Sequence, residues 1–264
     1  MVIYYAIVFF VFGLMFGSFY NVVGYRLPKK ESLAFPSSHC PVCNHKLSPL
    51  ELIPVLSFVF LSGKCKACKT KISWYYAFFE LLTGLLFMLS YLKFGITVEC
   101  FTAIVLSSIL VIIIISDYKY YIIPDEIIII GAVLLSVSIF ISSGFETVNF
   151  DVTAAFKGMG TAILHGAISF SIMYGVKMLG DYFFKRESMG GGDIKLLFIF
   201  GLVIGFQLSI VSIFLASFIG LPVSIFLMKK KRTQIIPFGP FLAISALILF
   251  FSGVNWLDIL SLIA

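Results

Sequence analysis

The sequence predicts an all-α polytopic integral membrane protein of about eight transmembrane helices, with a four-cysteine zinc-binding loop on the cytoplasmic side. Three observations carry that prediction. Mean hydropathy is +1.08, and of the 264 residues 60% are hydrophobic and only 12% charged, where a soluble globular domain has roughly 25% charged residues. The apolar residues fall into runs near the ~20 residues that a bilayer-crossing helix needs. The basic residues cluster in the loops between those runs, which is the pattern of cytoplasmic loops. The net charge of +6 is therefore a matter of membrane topology and gives no argument for nucleic acid. The 30 phenylalanines suit helices that face lipid.

The first span is expected over about Val2–Val23. It lacks the basic n-region and the small-x-small cleavage site of a signal peptide, so it reads as a retained span with its N-terminus outside. Ser18 and Asn21 are polar positions in its last turns, which helix–helix hydrogen bonding explains. Pro28 stops the helix. The following stretch, 28–73, is the long polar segment of the chain. Arg26 stands at its edge, and Lys29, Lys30, Lys46, Lys64, Lys66, Lys69 and Lys71 lie within it against Glu31 and Glu51. That excess of positive charge places the loop in the cytoplasm. Pro49–Ser62 inside it is apolar but too short to span.

This loop holds Cys40-Pro41-Val42-Cys43 and Cys65-Lys66-Ala67-Cys68. Two C-x-x-C pairs about twenty residues apart match a four-cysteine zinc site, each pair offering two thiolates to one tetrahedral ion. Such a site is structural, because four cysteines leave no open coordination position. Disulfides are the rival reading, against which a cytoplasmic loop is reducing; a redox C-x-x-C is another. His39 and His45 are nearby bystanders, and Cys100 reads as a small buried residue.

The second span is expected over Trp74–Leu92, with Glu80 inside it. A carboxylate within a span is a functional or pairing candidate. The third, Glu99–Ser116, delivers Asp117, and the fourth, Glu126–Ile141, follows Pro124-Asp125. An acid at the start of a helix is favoured by the helix dipole, which explains Asp125. Asp117 instead meets the negative end of its own helix, and nothing local is expected to stabilise it. Phe145–Lys157, with Glu146 and Asp151, suits the outer side. The fifth span is expected over Gly158–Leu179, with His165 as a packing residue. Ile194–Met228 is too long for one crossing. Lys185 and Arg186 before it and Lys229-Lys230-Lys231-Arg232 after it both mark the cytoplasm, so the run is expected to fold back near Gly205-Phe206-Gln207. The last span is expected over Ile235–Leu262.

This topology brings Asp117 and Asp193 to the cytoplasmic boundary on different helices. Met189-Gly190-Gly191-Gly192-Asp193-Ile194-Lys195 has a plainer reading as a glycine linker before a capping aspartate. But two converging carboxylates cannot both ionise cheaply, so they share one proton. The ionised partner can deprotonate water while the neutral one polarises a carbonyl. Asp117 and Asp193 are the candidate catalytic pair, and Gly190, Gly192, Lys195, Asp125 and Glu80 the candidate supporting residues.

A run of motifs covers nearly the whole chain: G-S-F-x-N-V-V-x-x-R-L-P at Gly17–Pro28, P-x-x-x-C-P-x-C at Pro36–Cys43, G-K-C-x-x-C at Gly63–Cys68, and I-S-x-x-Y-x-x-x-E at Ile72–Glu80. D-x6-P-D at Asp117–Asp125, G-G-G-D at Gly190–Asp193 and P-F-G-P-F-L-A at Pro237–Ala243 complete it. Each alone is weak; in this order they are specific. The chain resembles the bacterial type IV prepilin peptidases with N-methyltransferase activity, which are GxGD membrane aspartic proteases. It departs from their pattern at Ala77, often proline, and at Ile128, often threonine. The resemblance puts the catalytic pair at Asp117 and Asp193. It implies an N-terminal region over 1–92 and a membrane peptidase domain over 99–264. It further implies cleavage of the basic leader of a prepilin or pseudopilin at the cytoplasmic face of the plasma membrane. Methylation of the new N-terminal amine by S-adenosylmethionine would follow. The residues themselves support cleavage better than methyl transfer, since no glycine-rich loop marks a methyl-donor site. Two competing readings are an ion-coupled transporter, in which Asp117, Asp193 and Glu80 handle ions, and a presenilin-like protease cutting within spans.

Overall fold

The computed structural model describes residues 1–145, 149–185, 187, 189–231 and 236–263, without the side chains of 228–231 and 262–263. Glu146, Arg186, Arg232 and Ile235 lie outside them, as do the side chains of Lys229, Lys230 and Lys231; the charge markers expected there are among these residues. The described residues are helical throughout their long apolar runs: α1 (Val2–Arg26), α2 (Leu56–Phe60), α3 (Trp74–Phe94), α4 (Val98–Tyr120) and α5 (Asp125–Gly144). α6 (Val152–Phe184), α7 (Gly191–Lys231), α8 (Gly239–Ser252) and α9 (Trp256–Ile263) follow. Six of them, α1 and α3 to α7, are long and apolar enough to cross a membrane.

α7 has 41 residues and holds one non-helical position, Gly205, at φ 79 and ψ 163. A straight helix of that length would run about 60 Å, twice the hydrocarbon core. The break falls where the fold-back was expected, at a residue that reaches positive φ without penalty. The last expected span differs from the sequence reading. α8 is 14 residues long and ends at Gly253, which is left-handed at φ 71; α9 is a separate short helix. Apolar composition continues through that turn, so hydropathy alone did not mark it.

By packing, the chain divides into two compact units, Met1–Ser116 and Asp117–Ala264. In the first, α1 and α3 meet along glycines. A Cβ built on Gly13 would lie 2.7 Å from Gly84 Cα, and one on Gly17 2.8 Å from Glu80 Cα. Gly13 and Gly17 form a G-x-x-x-G, the spacing that lets two membrane helices approach backbone to backbone. The α4 helix joins this unit through a hydrogen bond of 2.7 Å from Tyr20 Oη to Ser108 Oγ. Cys100 is buried beside Ala6 and Tyr91, as its sequence context implied. In the second unit α6 and α7 approach in the same way, at Gly166 and Gly201. Ser169 and Ser209 bond at 2.6 Å, and His165 packs on the Phe206 ring.

Candidate active site and metal centre

The ends of α4, α5, α7 and α8 build the carboxylate site, all within the second unit. Tyr121 closes α4: its φ of 58 is left-handed, and its N–H donates to the Asp117 carbonyl at 2.9 Å. That fixes Asp117 in the last turn of α4, where it is 7% exposed. Its Oδ2 accepts the backbone N–H of Gly239, the first residue of α8, at 3.1 Å. The sequence offered no local partner for Asp117, and this one comes from 122 residues along the chain. Its own helix presents a negative end, but the N-terminus of α8 offers a free amide and a positive dipole end.

Gly239 is a site residue that the sequence reading quoted only as part of a motif. A Cβ there would lie 2.6 Å from Asp117 Oδ2, closer than any real contact. The available signal was a glycine between two prolines at a helix start. Ile123, between α4 and α5, wedges into the same place. Cβ atoms built on Gly192 and Gly239 would stand 2.8 Å and 3.4 Å from its side chain. It thereby ties the starts of α7 and α8 to the turn after Asp117.

Asp193 lies in the first turn of α7, where the helix dipole favours an acid, and interacts electrostatically with Asp117. Gly191 and Gly192 belong to the helix, so the glycine run is its first turn and not a linker before it. Gly190 precedes it, and a Cβ there would lie at ordinary contact distance, 3.6 Å, from Asp193 Oδ2. Lys195 Nζ donates to Asp125 Oδ1 at 2.6 Å, linking α7 to the first residue of α5 with both side chains well exposed. Of the five expected supporting residues, Gly190 and Gly192 lie in the glycine run directly before Asp193, and Lys195 and Asp125 pair with each other. Glu80 belongs to the first unit, where Oε2 accepts the Val55 N–H at 2.7 Å and the carboxylate also bonds Ser18.

In the first unit the two C-x-x-C stretches fold as matching knuckles. The Cys40 N–H donates to the His45 carbonyl and the Asn44 N–H to the Cys40 carbonyl; Cys65, Thr70 and Lys69 repeat both bonds. Asn44 and Lys69, each four residues after the first cysteine, are left-handed at φ 56 and 61. Antiparallel bridges close each knuckle, His39 with Lys46 and Lys64 with Lys71. The four sulfurs lie within 4.8 Å of one another, with Cys40–Cys68 at 3.8 Å and Cys43–Cys65 at 3.9 Å. These are not disulfide distances, which are near 2.05 Å. Sulfurs 2.3 Å from a tetrahedral ion stand about 3.8 Å apart, so the four cysteines are a site that could hold a metal ion. Amides of Cys43 and Val42 hold the Cys40 thiol below its usual range, and the Thr70 hydroxyl and amide bring Cys68 down to about 6. Beside the knuckles, Glu51 accepts from the Ser48 amide and hydroxyl and sits beside His45, which lowers its carboxyl to about 2.

Known proteins share this arrangement of sequence. Residues 11–94 match the family model described as the Bacterial Peptidase A24 N-terminal domain, and residues 104–225 that of the Type IV leader peptidase family. The chain is 34% identical to the prepilin leader peptidase/N-methyltransferase of Bacillus subtilis, over 92% of this chain and 93% of the relative. It is 35% identical to the protein of that name from Myxococcus xanthus, over 89% and 69%. For the one from Pseudomonas putida the identity is 30%, over 89% and 86%. No solved structure gives a significant match.

Proposed function

The chain belongs to the type IV leader peptidase family, and on that premise we propose that it cleaves the basic leader of a type IV prepilin or pseudopilin and then N-methylates the new terminus. The relatives' shared name supports both activities. The observation that carries the first is that Asp117, held by the Gly239 amide, lies within electrostatic reach of Asp193 at the start of α7. The ionised carboxylate takes a proton from a water molecule, which attacks the scissile carbonyl; the protonated partner donates to the carbonyl oxygen. The Gly239 amide orients Asp117, and the Lys195–Asp125 pair braces α7 against α5. The transporter reading has no support among the relatives. A transport site also usually lies near the bilayer midplane, whereas these two aspartates lie in terminal turns of their helices.

The lysine-rich cysteine loop supports a cytoplasmic orientation for the loop and the dyad. A basic leader then meets the enzyme in the cytoplasm while its apolar helix stays in the bilayer. The membrane peptidase domain spans 99–264 and the N-terminal region 1–92. Zinc is the ion for Cys40, Cys43, Cys65 and Cys68, with a structural role. S-adenosylmethionine would supply the methyl group: the freed amine would form an N–CH3 bond as the S–CH3 bond breaks, with S-adenosylhomocysteine leaving and one proton lost from nitrogen. Incubating the purified protein with a co-encoded prepilin and sequencing the product's N-terminus tests the reading. A shortened product with a methylated terminus is expected; an uncut precursor overturns the peptidase reading.

A further inference from the structure

A cavity of about 480 Å³ in the first unit is lined by α1, α3 and the metal-binding loop. That is within the usual range for a small-molecule site. Asn21, on its wall, is 3% exposed. Its Nδ2 donates to the Tyr76 carbonyl at 3.1 Å, while its Oδ1 is buried with no hydrogen-bond partner. A buried acceptor left unmet is costly, so it calls for a donor from a ligand. Glu80 lines the same cavity and brings a carboxylate, held by the Val55 amide and Ser18. Val55 takes φ 61 and ψ −49 in offering that amide, a conformation β-branched residues avoid and one that tends to occur at functional sites. Tyr25 and Tyr76 stack at 5.2 Å to form an aromatic wall. The Arg26 guanidinium is occupied by the Ser32 and Pro36 carbonyls.

A carboxylate, an unmet amide oxygen and aromatic faces together suit an organic cation that carries N–H donors. We propose that Asn21 and Glu80 form the site for the sulfonium methyl donor of the second reaction. Glu80 supplies the negative charge that a sulfonium requires, and Asn21 Oδ1 accepts from one of the donor's N–H groups. The assignment rests on the methyl-transfer reading, and its test separates the two. Calorimetry of the full-length protein in detergent would compare S-adenosylmethionine with S-adenosylhomocysteine, its uncharged thioether counterpart. The wild type is expected to favour the sulfonium. Glu80→Gln keeps an acceptor for Val55 but removes the charge. It should weaken sulfonium binding about tenfold or more, as loss of a charge partner does, and thioether binding much less. Asn21→Leu should weaken both. Equal loss of both ligands in Glu80→Gln, or unchanged sulfonium binding, overturns the assignment. Methylation of a cleaved pilin peptide is followed on the same samples. Methylation by a protein whose Glu80→Gln variant binds the donor normally overturns the site alone. Donor binding as expected without any methylation overturns the methyl-transfer reading alone. A wild type that binds neither ligand overturns the site.

Discussion

Asp117 and Asp193 carry the peptidase reading residue by residue. Asparagine matches aspartate in size but supplies no base, so Asp117→Asn and Asp193→Asn should each abolish leader cleavage, by ~10⁴-fold or more where a catalytic unit is broken. Gel-shift of the prepilin measures this, with circular dichroism to show that the helices persist. Asp125→Asn should change the rate only slightly. Its bond to Lys195 joins two well-exposed side chains, and such pairs are worth about 0–1 kcal/mol. If the Asp125 variant were dead and the Asp117 variant active, the assignment within the turn would be reversed. Gly239→Ala should slow cleavage on the order of 10²-fold, as small displacements of a catalytic group do, because its Cβ would push into the Asp117 carboxyl. A rate equal to wild type would deny the contact. The two aspartates were legible as polar intruders at the ends of apolar runs. Gly239 was not, because its role is a backbone amide and an absent side chain, neither of which the sequence displays as chemistry.

At the scale of elements, the α1–α3 seam is set by small residues. Gly13→Leu would force those helices apart and should lower the melting temperature of the purified protein, since overpacking a tight contact costs about 1–3 kcal/mol. Gly175→Ala in α6 is the control, because no atom stands within 4 Å of its Cβ position and alanine favours helix. An equal drop in both variants would mean that the seam is not tightly packed. The knuckles make a parallel prediction. Metal analysis of untagged protein should find about one zinc per chain, from the four-ligand rule, and Cys65→Ser should loosen the loop in hydrogen exchange while the α1–α3 seam stays protected. Metal-free protein with native exchange rates would refute the zinc assignment. The cysteine spacing was plain in the sequence. The G-x-x-x-G at Gly13–Gly17 was equally present but was masked by a span already explained by its hydropathy.

Across the whole molecule, the run from Ile194 was legible as broken because its length exceeds a bilayer, and Gly205 was the residue able to break it. The boundary between α8 and α9 was hidden by uniform apolarity, although Gly253 marked it. Where charge signs would fix sidedness, the sequence speaks through its lysines and the helices alone do not. The two knuckles have a further consequence. Each closes its own ring of hydrogen bonds and its own bridge before the chain leaves it. Residues 48–62 join the rings and lie between the bridged and hydrogen-bonded residues of the two. Short insertions in that joining segment away from Glu51, which bonds His45, should leave the four sulfurs together, whereas one added residue between Cys40 and Asn44, or between Cys65 and Lys69, should part them, as metal analysis of such variants would show.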